Sequence, residues 1–370
     1  MRCKDLSSFI VMDIVREAAK YEDAIHFEIG QPDLPPSPKV FEALHKNIHE
    51  TAYTESRGLL VLREKISSYY KKTYNVDVTT DRILLTPGTS GAFIVAYALT
   101  ISKGERLGLS DPSYPCYKNV AQVLDITPHF MPVSKEDNYQ LAPLHIKGQN
   151  LKALQISSPS NPTGNVYSPH NLKNLIKECK NQKITFISDE LYHGLVYDEP
   201  ACSALMFDDE AYVINGFSKY FCMPGFRLGW LIVPESKARE AEVLAQNLFI
   251  CPSTLSQYAA LEAFDMDYLE SVRDTFRKRR DYLYEALSEF FIVDAKPDGA
   301  FYLWADVSKY SKDSFEFAKK MLNEIHVAVT PGEDFGYRDS KKYVRFAYTR
   351  EMAHMREGVD RLRQWLLGFK

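Results

Sequence analysis

A chain of 370 residues, 45% hydrophobic and 25% charged with a net charge of −4, has the composition of a globular protein of about two domains. No basic stretch argues for nucleic acid, no block of like charge for a disordered tail, and no apolar run is long enough to span a bilayer. The N-terminus MRCKDLSSFIVMDIVREAAK lacks the apolar core of a signal peptide. The six cysteines, Cys3, Cys116, Cys179, Cys202, Cys222 and Cys251, have no C-x-x-C spacing, so neither a zinc site nor a disulfide framework is expected and a cytoplasmic location fits.

Residues 9–20, FIVMDIVREAAK, form an amphipathic pattern with Ile10, Ile14 and Ala18 on one face. HFEIGQPDLPPSP follows, where prolines 32, 35, 36 and 38 forbid regular structure and make a stiff, exposed connector. A helix is expected from Pro38 to about Glu50, and a second after Tyr53 and Gly58. From Arg82 short apolar runs alternate with helical segments: RILLT, RLGLS, LKALQIS, ITFISD, AYVIN and RLGWLIV are the strands. That alternation predicts an α/β fold, a mainly parallel sheet sandwiched by helices, with sites outside the carboxyl ends of its strands. A long charged helix, about Asp267 to Phe290, then leads to FYLWADVS, SFEFAKKMLNEIH, VAVTPGEDF and a last helix from about Glu351. These predict a smaller α/β domain. The expected boundaries are 1–45 as N-terminal arm and part of the small domain, 46–280 as the large domain, and 281–370 as the rest of the small one.

The turns after the strands carry the chemistry. Pro87-Gly88-Thr89-Ser90-Gly91 opens a helix whose free amides and hydroxyls suit a phosphate, and equally reads as a simple cap. Asp111-Pro112-Ser113-Tyr114 and Ser158-Pro159-Ser160-Asn161-Pro162 also read as plain turns, and Asp189, before Tyr192, as a capping residue. After AYVIN comes Lys219. A lysine at the mouth of a sheet is costly to bury without a partner or a reaction, and Arg227 eight residues on makes an anionic ligand the natural expectation. Taken together, a phosphate cradle, a flat aromatic, an amide, a carboxylate, a phenol, a lysine and an arginine match the needs of pyridoxal phosphate.

The sequence resembles the class I/II, fold-type I pyridoxal-phosphate aminotransferases over essentially its whole length. The motifs are FEIGQPD, YTESRGLLVLRE, TPGTSGA, DPSYPCY, SSPSNPTGNVYS, ISDELYHGLVYD, GFSKYFCMPGFRLGW and YVRFAYTR. The resemblance implies an aspartate-aminotransferase-like fold and a role for each matching residue. Lys219 would hold the cofactor aldehyde and, once displaced, shuttle a proton at the substrate α-carbon, a task a lowered pKa suits. Asp189 would pair with the pyridine nitrogen; Tyr192 and Asn161 would bond the phenolic O3′; Tyr114 would stack on the ring. Thr89, Ser90, Ser218 and Arg227 would hold the phosphate, with Tyr53 reaching that of a neighbouring subunit in a homodimer. Arg345 would clamp the substrate α-carboxylate with support from Gly30 and Asn161, although its place in a strand-like alternation also fits a solvent-facing arginine. One departure stands out: many members carry a phosphate-bonding serine three residues before the lysine, where this chain has Gly216. Losing one hydroxyl donor is worth on the order of 1 kcal/mol.

The implied reaction is transfer of an amino group from an α-amino acid to a 2-oxo acid by a ping-pong mechanism, with glutamate and 2-oxoglutarate as the commonest pair. Aspartate, alanine, aromatic amino acids and N-succinyl-diaminopimelate stay open as substrates. A C–S β-lyase of the same fold is the alternative. A regulatory module is a remote one, since the chain starts almost at the family's own N-terminal arm. Neither H-E-x-x-H nor G-x-G-x-x-G is present, so no metal is expected and a nicotinamide enzyme is not indicated.

Overall fold

The central strands read as unbroken apolar runs because both of their faces are covered. Leu84, Ile187, Ile214 and Leu231 pack into one hydrophobic cluster with Phe93 and Tyr97, while their strand neighbours Leu85, Phe186, Val213 and Trp230 pack into a second, larger one. Alternate side chains of each strand therefore enter opposite layers, and a buried aliphatic or aromatic side chain contributes about 1.5–3 kcal/mol to holding them there.

The computed structural model describes residues 6–369, so Cys3 lies outside the described residues. The N-terminal part forms α1 (Ile10–Ala18), β1 (Ile25–His26), α2 (Pro38–Lys46) and α3 (Leu60–Tyr74). Next come β2 (Ile83–Thr86), α4 (Gly88–Thr100), β3 (Arg106–Asp111), α5 (Cys116–Val123), β4 (Thr127–Pro132), α6 (Pro143–Ile146), β5 (Ala153–Ser157) and α7 (Pro169–Asn181). The central part ends with β6 (Thr185–Asp189), β7 (Tyr212–Gly216), β8 (Gly229–Ile232), α8 (Ala238–Phe249), α9 (Thr254–Ala260) and α10 (Met266–Ser288). The rest is β9 (Ile292–Val293), β10 (Tyr302–Asp306), α11 (Ser314–Ile325), β11 (Val327–Ala328), β12 (Thr330–Pro331), β13 (Tyr343–Ala347) and α12 (Met352–Leu366).

The main sheet has seven strands in the order β2-β8-β7-β6-β5-β3-β4. It is parallel except for β8, which is antiparallel to both its neighbours. A four-stranded antiparallel sheet, β12-β13-β10-β9, stands beside it, and β1 pairs in parallel with β11. The N-terminal arm thus pairs with the C-terminal part.

Two expectations need correction. The helix from Pro38 stops at Lys46 rather than near Glu50, because the Asn47 side chain donates to the Ala43 carbonyl at 2.7 Å and closes the last turn. Strand β4 has no counterpart among the expected strands. Pro128 and Pro132 lie in it, which only an edge strand with one unpaired side tolerates.

Candidate active site

The strand ends converge on a cavity of about 790 Å³. Thr89 and Ser90 come from the start of α4 after β2, Tyr114 from the turn after β3, and Asn161 from the turn after β5. Asp189 is the last residue of β6, with Tyr192 three residues on; Ser218 and Lys219 follow β7. Arg227 precedes β8, whose reversed direction brings its N-terminal end to the same edge of the sheet. The opposite side comes from Gly30 in the arm and Arg345 in β13. Eleven of the twelve expected residues therefore line one cavity. Tyr53 does not; it is 78% exposed on the surface.

Lys219 is buried enough that its amine is held down at about 8, first by loss of hydration, then by the charges of Arg345 and Arg227. Its Nζ donates to the Gly30 carbonyl at 2.6 Å, which ties the arm to the strand ends. Asp189 accepts from the Tyr117 hydroxyl at 2.5 Å and from the Leu191 amide at 3.1 Å. Burial nevertheless pushes its carboxyl up to about 6, because those bonds and the Lys219 charge only partly replace water. The Tyr192 hydroxyl meets that of Tyr302 at 2.7 Å.

Arg345 is not a solvent-facing strand residue, since it is only 5% exposed. Its guanidinium lies between the rings of Tyr302, 4.3 Å away, and Phe335, 4.7 Å away. Nη1 donates to Asn161 Oδ1 at 2.9 Å, Nη2 donates to the Glu28 carbonyl at 2.7 Å, and Nε has no partner among the described residues. Every one of these acceptors is neutral. Gly30 makes no hydrogen bond to Arg345 among the described residues; its expected support reduces to lying in the same cavity.

The phosphate-cradle expectation is testable on the backbone. Gly88 has φ +67°, a conformation other residues rarely adopt, and without a Cβ it leaves room for Arg227 Nη2, which would otherwise stand 2.7 Å away. Arg227 itself is exposed and spends one donor on the Pro224 carbonyl at 3.0 Å. At Gly216 a Cβ would meet Gly229 Cα at 3.1 Å, the Leu228 carbonyl at 3.2 Å and Thr89 Cγ2 at 3.2 Å. The missing serine thus coincides with a strand pair packed too closely to take one unchanged. Exposed amides at a helix start, a forked cation, a buried carboxylate and an amine whose pKa is held below its ordinary value together fit pyridoxal phosphate.

Sequence reasoning missed several lining residues. Tyr117 and Tyr302 orient Asp189 and Tyr192 by hydrogen bonds, but among 23 tyrosines neither carries a distinguishing pattern. Phe9, Val11, Met12 and Val15 of the α1 region, with Ile29, Asp334 and Phe335, complete the cavity. Here a signal existed: Val11 and Val15 are four apart and lie beside the Ile10–Ile14–Ala18 face. Among the described residues no cluster of His, Cys, Asp or Glu suits a metal, and no helix is long and apolar enough to cross a membrane.

Comparison with known proteins gives the same picture. The family described as aminotransferase class I and II matches residues 22–362. The (5-formylfuran-3-yl)methyl phosphate transaminase of Methanocaldococcus jannaschii is 38% identical, covering 99% of this chain and 98% of that one. A crystal structure of an aminotransferase from Mycobacterium tuberculosis superposes with a TM-score of 0.96 at 31% identity, over 99% and 98% of the two chains. The Thermus thermophilus aspartate aminotransferase with maleate gives 0.93 at 25% identity, over 98% of each.

Proposed function

The chain belongs to the class I and II aminotransferases, pyridoxal-phosphate-dependent transaminases of the aspartate-aminotransferase-like fold, and from that premise we propose that it moves the amino group of an α-amino acid to a 2-oxo acid, with glutamate and 2-oxoglutarate as one pair. The observation that carries the proposal is Arg345, a buried cation whose partners are all neutral, facing the same cavity as the Lys219 amine. Such a guanidinium makes no ion pair among the described residues, and its planar fork matches a carboxylate.

The bound cofactor supplies an electron sink for the bond broken at the substrate α-carbon. Lys219 Nζ would hold the cofactor's aldehyde in the resting enzyme and, once released from it, would take the proton from the substrate α-carbon. An amine held down at about 8 is largely free to accept a proton near and above that pH. Asp189, buried and fixed by Tyr117 and Leu191, would accept a hydrogen bond from the protonated ring nitrogen and keep it protonated; Tyr192 and Asn161 would donate to O3′, and Tyr114 would pack on the ring. Thr89, Ser90, Ser218 and Arg227 would hold the phosphate. Arg345 and Asn161 hold the α-carboxylate and fix which bond faces Lys219. One Arg345 and one cavity receive donor and acceptor in turn, which implies ping-pong kinetics.

Residues 46–280 act on this account as the cofactor-holding domain, and 1–45 with 281–370 as the smaller one. Tyr53, exposed and not lining its own cavity, would serve the site of a second copy in a homodimer. Five free cysteines among the described residues support a cytoplasmic setting. The test is a half-reaction: holoenzyme mixed with one amino acid and no acceptor releases one equivalent of 2-oxo acid and keeps the amine until a second 2-oxo acid is added. Continuous release of pyruvate and ammonia without acceptor supports the β-lyase alternative instead.

A further inference from the structure

Once Arg345, Asn161 and Lys219 are assigned to the α-carboxylate and α-carbon, a different part of the cavity remains for the substrate's side chain. It is built from Val11, Met12 and Val15 of α1 with Phe9, Ile29 and Phe335. This surface is apolar, and its origin is unusual. Helix α1 turns about 100° per residue, so its apolar residues fall on two adjacent arcs. Ile14 and Ala18, with Ile10 beside them, dock on Ala24, Leu322 and Ala328 in a small hydrophobic cluster of their own. Val11, Val15 and Met12 lie further round and face the cavity instead, with Met12 still 56% exposed. The first arc suffices to dock the helix. The second has no apolar partner in the docking cluster, and a nine-residue surface helix with a third to a half of its residues left apolar and half-exposed has a reason to be so.

The helix is also held from its N-terminal end. Asp334 Oδ1 accepts from the Ile10 amide at 3.0 Å and Oδ2 from the Val11 amide at 3.3 Å, satisfying two of the free donors of the first turn. Asp334 is itself only 5% exposed and lines the cavity. A second substrate carboxylate reaching this end meets an apolar surface and an acid whose oxygens already have partners.

Resting on the transaminase reading above, we propose that α1 is the side-chain wall of the substrate site, with Val11, Met12 and Val15 selecting amino acids that carry a large apolar or aromatic side chain, and that Asp334 is the positioning residue that holds this wall in place. Burying the side chain of phenylalanine or leucine against the wall favours these donors; the aspartate carboxylate loses hydration there without gaining a cation.

The experiment compares the half-reaction of the full-length holoenzyme with phenylalanine, leucine and aspartate, each as sole donor. The wild type is expected to favour phenylalanine and leucine over aspartate by at least about tenfold in kcat/KM. Met12→Arg, an exposed position that tolerates a charge, is expected to lower the phenylalanine-to-aspartate ratio at least about tenfold. Asp334→Ala is expected to raise KM for phenylalanine about fivefold or more with little change in kcat, and Asp334→Asn, which keeps one acceptor, to restore most of it. A wild type that prefers aspartate, or a ratio that Met12→Arg leaves unchanged, overturns the wall and leaves the transaminase reading standing. Release of no 2-oxo acid from any donor overturns both. Equal losses in kcat and KM for both Asp334 variants, with no rescue by asparagine, overturn the positioning role.

Discussion

The cavity has two unlike walls. One is the carboxyl edge of the seven-stranded sheet, where Asp189, Asn161 and Ser218 are 4%, 5% and 8% exposed and each stands at or just after the end of a strand locked between two layers. The other is α1, nine residues whose Ile14 and Ala18 dock on Ala24, Leu322 and Ala328 and which are held by a carboxylate from the far end of the chain. The first wall has the rigidity that chemistry demands, since reacting groups must stay within a fraction of an ångström of their places. The second has few buried contacts, the kind of element that adapts to different side chains and opens at small cost. The difference suggests a division of labour: the sheet edge does the same chemistry on every substrate, and the helix decides which substrate is served.

The sharpest way to break that division is to remove the amine from the rigid wall. Lys219→Ala is expected to lower amino transfer by about 10²–10⁴-fold with every donor alike, while leaving thermal stability unchanged or higher, because a buried amine held at about 8 opposes folding at neutral pH. Single-turnover kinetics and a melting curve on the same sample check it; donor-dependent losses contradict it. Arg345→Ala comes next. Losing the fork between Tyr302 and Phe335 is expected to weaken all α-amino acid donors by about 2–4 kcal/mol in kcat/KM, again without changing their order. Steady-state comparison of three donors decides it.

The rigidity of the sheet edge has its own test behind Asp189. Glu190 and His193 lie on the same turn as Asp189 and Tyr192 but point away from the cavity. Glu190 Oε1 accepts from the Ala204 amide at 2.8 Å and from the Ser203 hydroxyl at 3.1 Å, and His193 Nδ1 lies 2.9 Å from the Tyr74 hydroxyl. Burial pushes the Glu190 carboxyl up to about 8. A carboxyl whose folded pKa is raised gives stability that is fully present below its ordinary value and is lost as pH rises to about 8. Wild type is therefore expected to lose roughly 1.4 kcal/mol per pH unit from this group between about pH 5 and pH 8. Glu190→Gln removes that slope, so the variant gains on wild type as pH rises; urea melts at pH 5 and pH 8 that give the same difference contradict the account. The smallest expected effect is at Gly216. A serine there is expected to destabilise by about 1–3 kcal/mol through overpacking against Gly229 and Leu228, and not to tighten cofactor retention. Tighter retention on dialysis contradicts it.

The same contrast explains what was legible in the sequence. The sheet edge was readable because a strand buried on both faces leaves an unbroken apolar run, and the residues after each run were where a parallel sheet puts its chemistry. Thr89, Asn161, Asp189 and Lys219 stood out that way, and Arg227 as a second cation eight residues beyond Lys219, opening the next apolar run. Tyr117 and Tyr302 were not, because a tyrosine that orients another side chain looks in sequence like one that fills a core. Arg345 was ambiguous for a related reason: alternation in a strand does not say which face is buried. The α1 wall was half legible. The docking face was visible at helical spacing, whereas the cavity face required knowing where Asp334, more than 300 residues away, pins the first turn. Strand β4 was missed because prolines argue against strands everywhere but at an edge, and edge position is a property of the assembled sheet.

The central claim is that Lys219 holds the cofactor at the rigid wall. Borohydride reduction of the holoenzyme followed by peptide mass analysis tests it most directly. The account predicts one modified lysine, in the peptide containing GFSKYFCMPGF, and no modification when the protein is first saturated with an amino donor. A modified lysine elsewhere, or a Lys219 peptide that stays unmodified in a cofactor-bearing protein, contradicts it.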